Sequence, residues 1–154
     1  MFSNSLVCDI LDYINKNINC EITIDELANC FYFDRTYIMK KFKKEIGISI
    51  HDYINKIRIL NSLDYYKYDN HILSTALKNG FNSIEYYSEI FKKIIGVNPM
   101  KYKKFINRSL DIKENEIDII IKNVNECNNI KLKANSYLNR RKPTTKMEKV
   151  LKLR

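Results

Sequence analysis

Four lysines carry the most pointed chemistry in this chain. They stand as two adjacent pairs, Lys43-Lys44 and Lys92-Lys93, each inside nearly the same phrase: FKKEIGISIHDY at 42–53 and FKKIIGVNPMKY at 91–102. Phe, Lys, Lys, Ile, Gly and Tyr recur in register at an offset of 49 residues, and Ile48 becomes Val97. A lone pair of ammonium groups is usually a solvated face. A pair held at the same place in a repeated unit is suited to flanking the phosphates of a polyanion. Catalytic sets are missing: there is no G-x-S-x-G, no glycine-rich phosphate loop and no metal-ligand spacing. Cys8, Cys20, Cys30 and Cys127 form no C-x-x-C pair, and His51 and His71 stand singly beside expected helix starts. The chain is expected not to be an enzyme and to need neither metal nor cofactor.

The elements that must position these lysines are helices. Val7, Ile10, Leu11, Ile14 and Ile18 fall at helical spacing over 5–19. Thr23 and Glu26 form a capping box for a short helix from Ile24 to about Cys30. Asp34 caps a third helix, Arg35 to about Glu45, with Ile38 and Phe42 inward and Gly47 ending it. A longer helix follows over about Ile50 to Tyr68. The pattern then restarts: a short helix from Ile72 to Asn79, an NGFN turn, a helix capped by Asn82 or Ser83 that ends at Gly96, and a last helix opened by Asn98-Pro99. Ile24, Ala28, Phe33 and Asp34 match Ile72, Ala76, Phe81 and Asn82 at an offset of 48, while Tyr37, Ile38 and Phe42 match Tyr86, Tyr87 and Phe91 at 49. Each copy is a helix-turn-helix. Phe42, Phe91, Tyr53, Tyr102, Ile38 and Tyr87 are its expected core.

The fold class is therefore all-α: two helix-turn-helix modules joined by a long linker helix. Only three glycines and two prolines interrupt 154 residues, and 45% hydrophobic content is enough to bury a core. The formal net charge is +9, distributed as +3 over 1–106, −2 over 107–130 and +8 over 131–154. The excess is a tail, and its chemistry implies an anionic partner, nucleic acid before membrane surface. No basic leader with a long apolar run opens the chain, and no stretch approaches a membrane span. A cytoplasmic, nucleoid-associated protein is expected.

The sequence resembles the DNA-binding domain of the AraC/XylS transcriptional regulators over about residues 5–106. The second copy, ALKNGFNSIEYYSEIFKKIIGVNPMKY, follows the pattern A-x-x-x-G-F-x-x-x-x-Y-F-x-x-x-F-K-x-x-x-G-x-x-P-x-x-Y through Ala76, Gly80, Phe81, Tyr86, Phe91, Lys92, Gly96, Pro99 and Tyr102. The first copy matches as IDELANC and YIMKKFKKEIG. The resemblance implies about seven helices and binding to double-stranded DNA, with RNA polymerase as a partner if the protein is an activator. It implies base contacts from Arg35, Thr36, Met39 and Lys40 in the first copy and from Ser83, Ile84, Glu85, Ser88 and Glu89 in the second. It implies phosphate contacts from Lys43, Lys44, Lys92 and Lys93, and a brace between the modules at Arg58. Lys40 can donate to guanine, Thr36 can touch a thymine methyl or a phosphate, Met39 offers apolar contact, and Glu89 stands where the family often has arginine. Lys41 occupies a usually apolar position, and Thr75 replaces a usual Ile or Val.

Two recognition helices in one chain can enter successive major grooves about 34 Å apart, so a monomer on DNA with two unlike half-sites is expected. The alternative is a protein-interaction module on the same fold, acting on polymerase or another regulator, which the acids Glu85 and Glu89 favour. Residues 1–106 form the expected DNA-binding domain. With a first helix so near Met1, the chain resembles either a stand-alone member without an N-terminal sensor or a fragment. Residues 107–154 form a basic extension, with one helix expected over about 113–128, marked by Ile117, Ile120, Ile121, Val124 and Cys127, and disorder beyond it. Dimerisation through the extension is one of its open roles.

Overall fold

The computed structural model describes residues 2–68, 71–107 and 113–140, with side chains from Leu6 onward. The described residues form eight α-helices and no strand: α1 (Phe2–Lys16), α2 (Ile24–Phe31), α3 (Arg35–Ile46), α4 (Ile50–Leu63), α5 (Ile72–Lys78), α6 (Ile84–Ile95), α7 (Pro99–Ile106) and α8 (Glu114–Arg140), with a 3-10 segment at Asp64–Tyr68. The fold is all-helical, as the sequence pattern predicts.

Side-chain caps start most of these helices. Thr23 Oγ1 accepts from Glu26 N at 3.1 Å while Glu26 Oε2 accepts from Thr23 N at 3.4 Å, completing the capping box of α2. Asp34 accepts from Thr36 N at 2.8 Å, Ser49 from Asp52 N at 3.1 Å, Ser83 from Tyr86 N at 3.1 Å and Asn98 from Lys101 N at 2.8 Å. Each such cap is worth about 1 kcal/mol. Gly47 and Gly96, at φ 97° and 105°, end α3 and α6 in the left-handed region. Tyr32 ends α2 there too, at φ 58°, in the register that Gly80 holds at 87° in the second copy.

Two cores result, one per helix-turn-helix. Leu27, Ile38, Phe42, Ile46, Ile50 and Tyr53 anchor the first, roofed by Ile10, Leu11 and Ile14 of α1. Ile59, Tyr66, Ala76, Phe81, Tyr87, Phe91, Ile95 and Tyr102 anchor the second. The repeated phrase explains itself here. Its Phe and its Tyr, eleven residues apart, meet edge-to-face in both copies: Phe42–Tyr53 at 5.5 Å and 68°, Phe91–Tyr102 at 5.5 Å and 66°. The second core adds a buried hydroxyl chain. Tyr87 OH donates to Ser62 Oγ at 2.9 Å and Ser62 Oγ donates to Ile59 O at 2.6 Å, so the 2.8 Å contact between Tyr66 and Tyr87 is Tyr66 donating.

The structure departs from the sequence reading in four places. α1 runs Phe2–Lys16 rather than 5–19, so Ile18 lies in the loop that follows it. The linker helix is α-helical only to Leu63 and tightens to 3-10 through Tyr68. The Ser62 hydroxyl bonding back to Ile59 competes with the ladder there, and the tighter turn carries Tyr66 into the second core. α5 stops at Lys78. The helix expected over about 113–128 runs to Arg140, so 129–140 are helical rather than disordered; the rest of the tail, 141–154, lies outside the described residues. Ile120, Cys127 and Ala134 are buried seven residues apart, a stripe that holds the helix against the body for its whole length. Ile121 is 53% exposed and stands outside that stripe.

Candidate nucleic-acid interface

α3 and α6 are built alike. Each has twelve residues, a side-chain oxygen at its N-cap and a left-handed glycine at its end. Each buries one stripe at positions i, i+4 and i+8: Ile38, Phe42 and Ile46 in α3, Tyr87, Phe91 and Ile95 in α6. Burying that stripe leaves the other face to solvent. On α3 the outer face presents Arg35, Thr36, Met39, Lys40, Lys43 and Lys44, all exposed. On α6 it presents Glu85, Glu89, Lys92 and Lys93.

The candidate base-contact residues divide accordingly. Arg35, Thr36, Met39, Lys40, Glu85 and Glu89 are exposed, while Ser83, Ile84 and Ser88 are half-buried. The Ser83 hydroxyl is engaged as the cap of α6. Arg35 Nε lies 3.2 Å from Asp25, an ion pair across the turn of the first module that leaves both side chains more than half exposed. The four lysines sit in the last turns of α3 and α6, where cations also complement the negative end of the helix dipole. The two faces differ in charge: α3 is cationic along its length, whereas α6 begins acidic and ends basic.

Arg58 of α4 crosses between modules. Its Nε donates to Ile18 O at 2.8 Å and its Nη2 to Cys20 O at 2.6 Å, both in the α1–α2 loop, while its guanidinium lies 5.9 Å from the Phe81 ring of the second module. A Cβ on Gly80 would sit 2.9 Å from Arg58 Nε and 3.0 Å from Ile18 O, so this turn requires glycine twice over, for φ and for space. Burial pulls the guanidinium's pKa down without removing its charge.

Two features lay beyond the sequence reading. Tyr32, Phe33 and Tyr37 are exposed beside Arg35, with Phe33 and Tyr37 stacked at 5.2 Å, although the register pairs Phe33 with the buried Phe81. The aromatic run FYFD, ending at a helix cap, was the available signal. His51 and Asn55 of α4 meet Tyr86 of α6: Asn55 Nδ2 donates to Tyr86 OH at 3.3 Å and lies 3.2 Å from His51 Nε2. No local pattern marks that contact, because its partners are 31 residues apart. Among the described residues no group of three or more His, Cys, Asp or Glu gathers as a metal site, and no helix is long and apolar enough to cross a membrane.

Comparison with known proteins agrees with this geometry. A family profile described as a helix-turn-helix domain matches residues 27–104. The transcriptional regulatory protein HptR of Staphylococcus aureus is 31% identical over 103 residues, 67% of this chain and 41% of that protein. An uncharacterized response regulatory protein of Staphylococcus epidermidis matches to the same extent. The chain thus spans less than half the length of these relatives. Among solved structures, the C-terminal domain of AraT, a response regulator from Geobacillus stearothermophilus, superposes with a TM-score of 0.62 at 27% identity, over 71% of this chain and 88% of that one. A DNA-binding transcriptional dual regulator from Escherichia coli K-12 shares the fold at TM-score 0.56 and 22% identity, over 69% of this chain and 93% of that one.

Proposed function

Since the chain belongs to the AraC-type helix-turn-helix family, we propose that it reads double-stranded DNA in a sequence-specific way and regulates transcription, with α3 and α6 as paired recognition helices in successive major grooves. The observation that carries this reading is the matched construction of α3 and α6: same length, a side-chain oxygen at each N-cap, a left-handed glycine at each end and buried residues at the same positions, with the opposite faces left to solvent. Arg35, Thr36, Met39 and Lys40 are the base readers of the first head, and Glu85 and Glu89 those of the second. Ser88 and Ile84 lie at its rim, and Ser83 orients the helix. Lys43, Lys44, Lys92 and Lys93 face phosphate. Arg58 braces the two modules. The protein acts as an activator through contact with RNA polymerase, binding DNA as a monomer.

The test is selection of bound fragments from a random double-stranded DNA library at two salt concentrations. A motif in two unlike parts, about one helical turn apart, is the expected result. Uniform, salt-sensitive binding without a motif would refute sequence-specific reading. The exposed Glu85 and Glu89 favour a second reading, a module that docks on polymerase while reading DNA weakly. Glu89→Arg separates the two. A cytosine-reading Glu89 makes the change weaken the selected site alone, whereas an idle acid makes it tighten binding to every sequence.

A further inference from the structure

Two rods join the two heads. α4 leaves the first and enters the second; α8 comes after the second and returns to the first. Its N-terminal half packs Ile117, Ile120 and Val124 into the second core, and its C-terminal half packs Ile130, Ala134, Tyr137 and Leu138 into the first.

The two anchorages repeat one another. Asn123 Nδ2 donates to Ile95 O at 2.8 Å, in the last turn of α6. Tyr137 OH donates to Glu45 O at 3.2 Å, in the last turn of α3. The glycine turns beyond them are touched in the same order: a Cβ on Gly96 would meet Ile119 at 2.7 Å, and one on Gly47 would meet Lys133 Nζ at 3.8 Å. Asn123 to Tyr137 and Ile119 to Lys133 are the same interval of 14 residues. Fourteen residues make nearly four helical turns, so both anchor sets share one side of α8, about 21 Å apart along it. One helix therefore grips the last turn of each of the two recognition helices, at carbonyls one residue apart in the register of the repeat.

We propose that α8 is a strut that fixes the distance and rotation between the two recognition helices, and so sets which half-site spacing the protein accepts; the spacing part rests on the two-head reading above. α4 is built into both cores and already carries the Arg58 and Asn55–Tyr86 contacts between modules. A second rod, tied to the far end of both recognition helices, resists the bending and twisting of α4 that those contacts alone permit. Heads locked before binding lose less freedom on DNA and cannot adjust to a misplaced half-site. Asn123 and Tyr137 are the positioning residues.

Asn129 offers the test, because it is exposed between the two anchorages. Asn129→Pro breaks the rod there and leaves each half on its own head, while Asn129→Ala keeps it whole. Spin labels go on Lys43→Cys and Lys92→Cys, equivalent sites on α3 and α6, in a background of Cys20→Ser and Cys30→Ser. Dipolar spectroscopy on the protein without DNA then gives the distance distribution. A single narrow peak is expected for the parent and Asn129→Ala, and one broader by roughly twofold or more for Asn129→Pro. On selected DNA with the half-sites moved apart by one or two base pairs, the parent should lose roughly tenfold or more in affinity and Asn129→Pro much less. A folded Asn129→Pro chain with an unchanged distribution, or a parent distribution already broad, overturns the strut. If Asn129→Pro does not fold, Asn123→Ala combined with Tyr137→Phe is measured in its place, with the same criteria. Absence of any DNA binding would remove the two-head reading, while the distance measurement would still decide the strut.

Discussion

Lys40 and Lys43 lie one turn apart on the same exposed face of α3, yet their expected roles differ by position along it. On the proposed reading, Lys40, midway along α3, is a base reader, and Lys43, in its last turn, is a phosphate neighbour. Lys40→Ala should therefore weaken the preferred site by about 1–3 kcal/mol while sparing random DNA. Lys43→Ala should weaken all sequences alike and lower the salt slope by about one. Titration of both variants against selected and scrambled duplexes at several salt concentrations checks the distinction. These side chains were legible because the repeated phrase fixes which faces of α3 and α6 turn inward. The half-burial of Ser83, Ile84 and Ser88 was not, since it depends on neighbours that the repeat does not specify.

At the scale of the element, the two heads solve one packing problem in two ways. Lys41 and Glu45 form an ion pair at 3.0 Å with little exposure, and Glu45 Oε2 is buried with no hydrogen-bond partner. The offset of 49 places Ile90 and Ile94 at the same positions of α6. An incompletely satisfied ion pair contributes little over an apolar contact of similar size. The double substitution Lys41→Ile with Glu45→Ile should leave stability unchanged or raise it by about 1 kcal/mol or more, whereas Glu45→Ala alone should destabilise by stranding the lysine; denaturant melts of the three chains compare them directly. The helix ends differ as well. Gly47→Ala meets only backbone strain, about 1–2 kcal/mol for an alanine held left-handed. Gly96→Ala meets the same strain and also Ile119 of α8 at 2.7 Å. The second change should lower the thermal midpoint clearly more than the first. The glycines announce themselves in sequence, but the contact that separates them does not: Ile119 lies within the helix expected over about 113–128, and no local pattern says which turn that helix packs on. The same helix runs twelve residues beyond its expected end. Ile130, Ala134 and Leu138 continue the stripe, and intervening Asn and Lys residues mask it.

Across the whole molecule, the buried tyrosines tie stability to alkaline pH. Burial pushes Tyr53 up to about 12, and raises Tyr66, Tyr87 and Tyr102 as well. Unfolding frees these phenols to ionise near their ordinary value of about 10, so stability is full below that pH and falls as pH rises through the folded-state values. Tyr53 alone accounts for about 2 kcal/mol by pH 12. Denaturant melts between about pH 8 and pH 11.5 should show the decline, and Tyr53→Phe should make it shallower. The all-helical architecture and its division into two heads were legible in sequence because periodicity, caps and repeat agree. The closure of both cores by one late helix was not, because it is a long-range choice of partner. That closure has a consequence for how the protein is made. Cys8 Sγ donates to Tyr137 O at 3.1 Å, a contact spanning 129 residues. Ala134, fully buried, belongs to the core of the head that is synthesised first. At about 5–20 residues per second, the leading head waits several seconds on the ribosome for the segment that seals it. The trailing head needs only Ile117, Ile120 and Val124, which emerge sooner. Of the two heads, the one translated first is thus the one whose sealing segment is translated last.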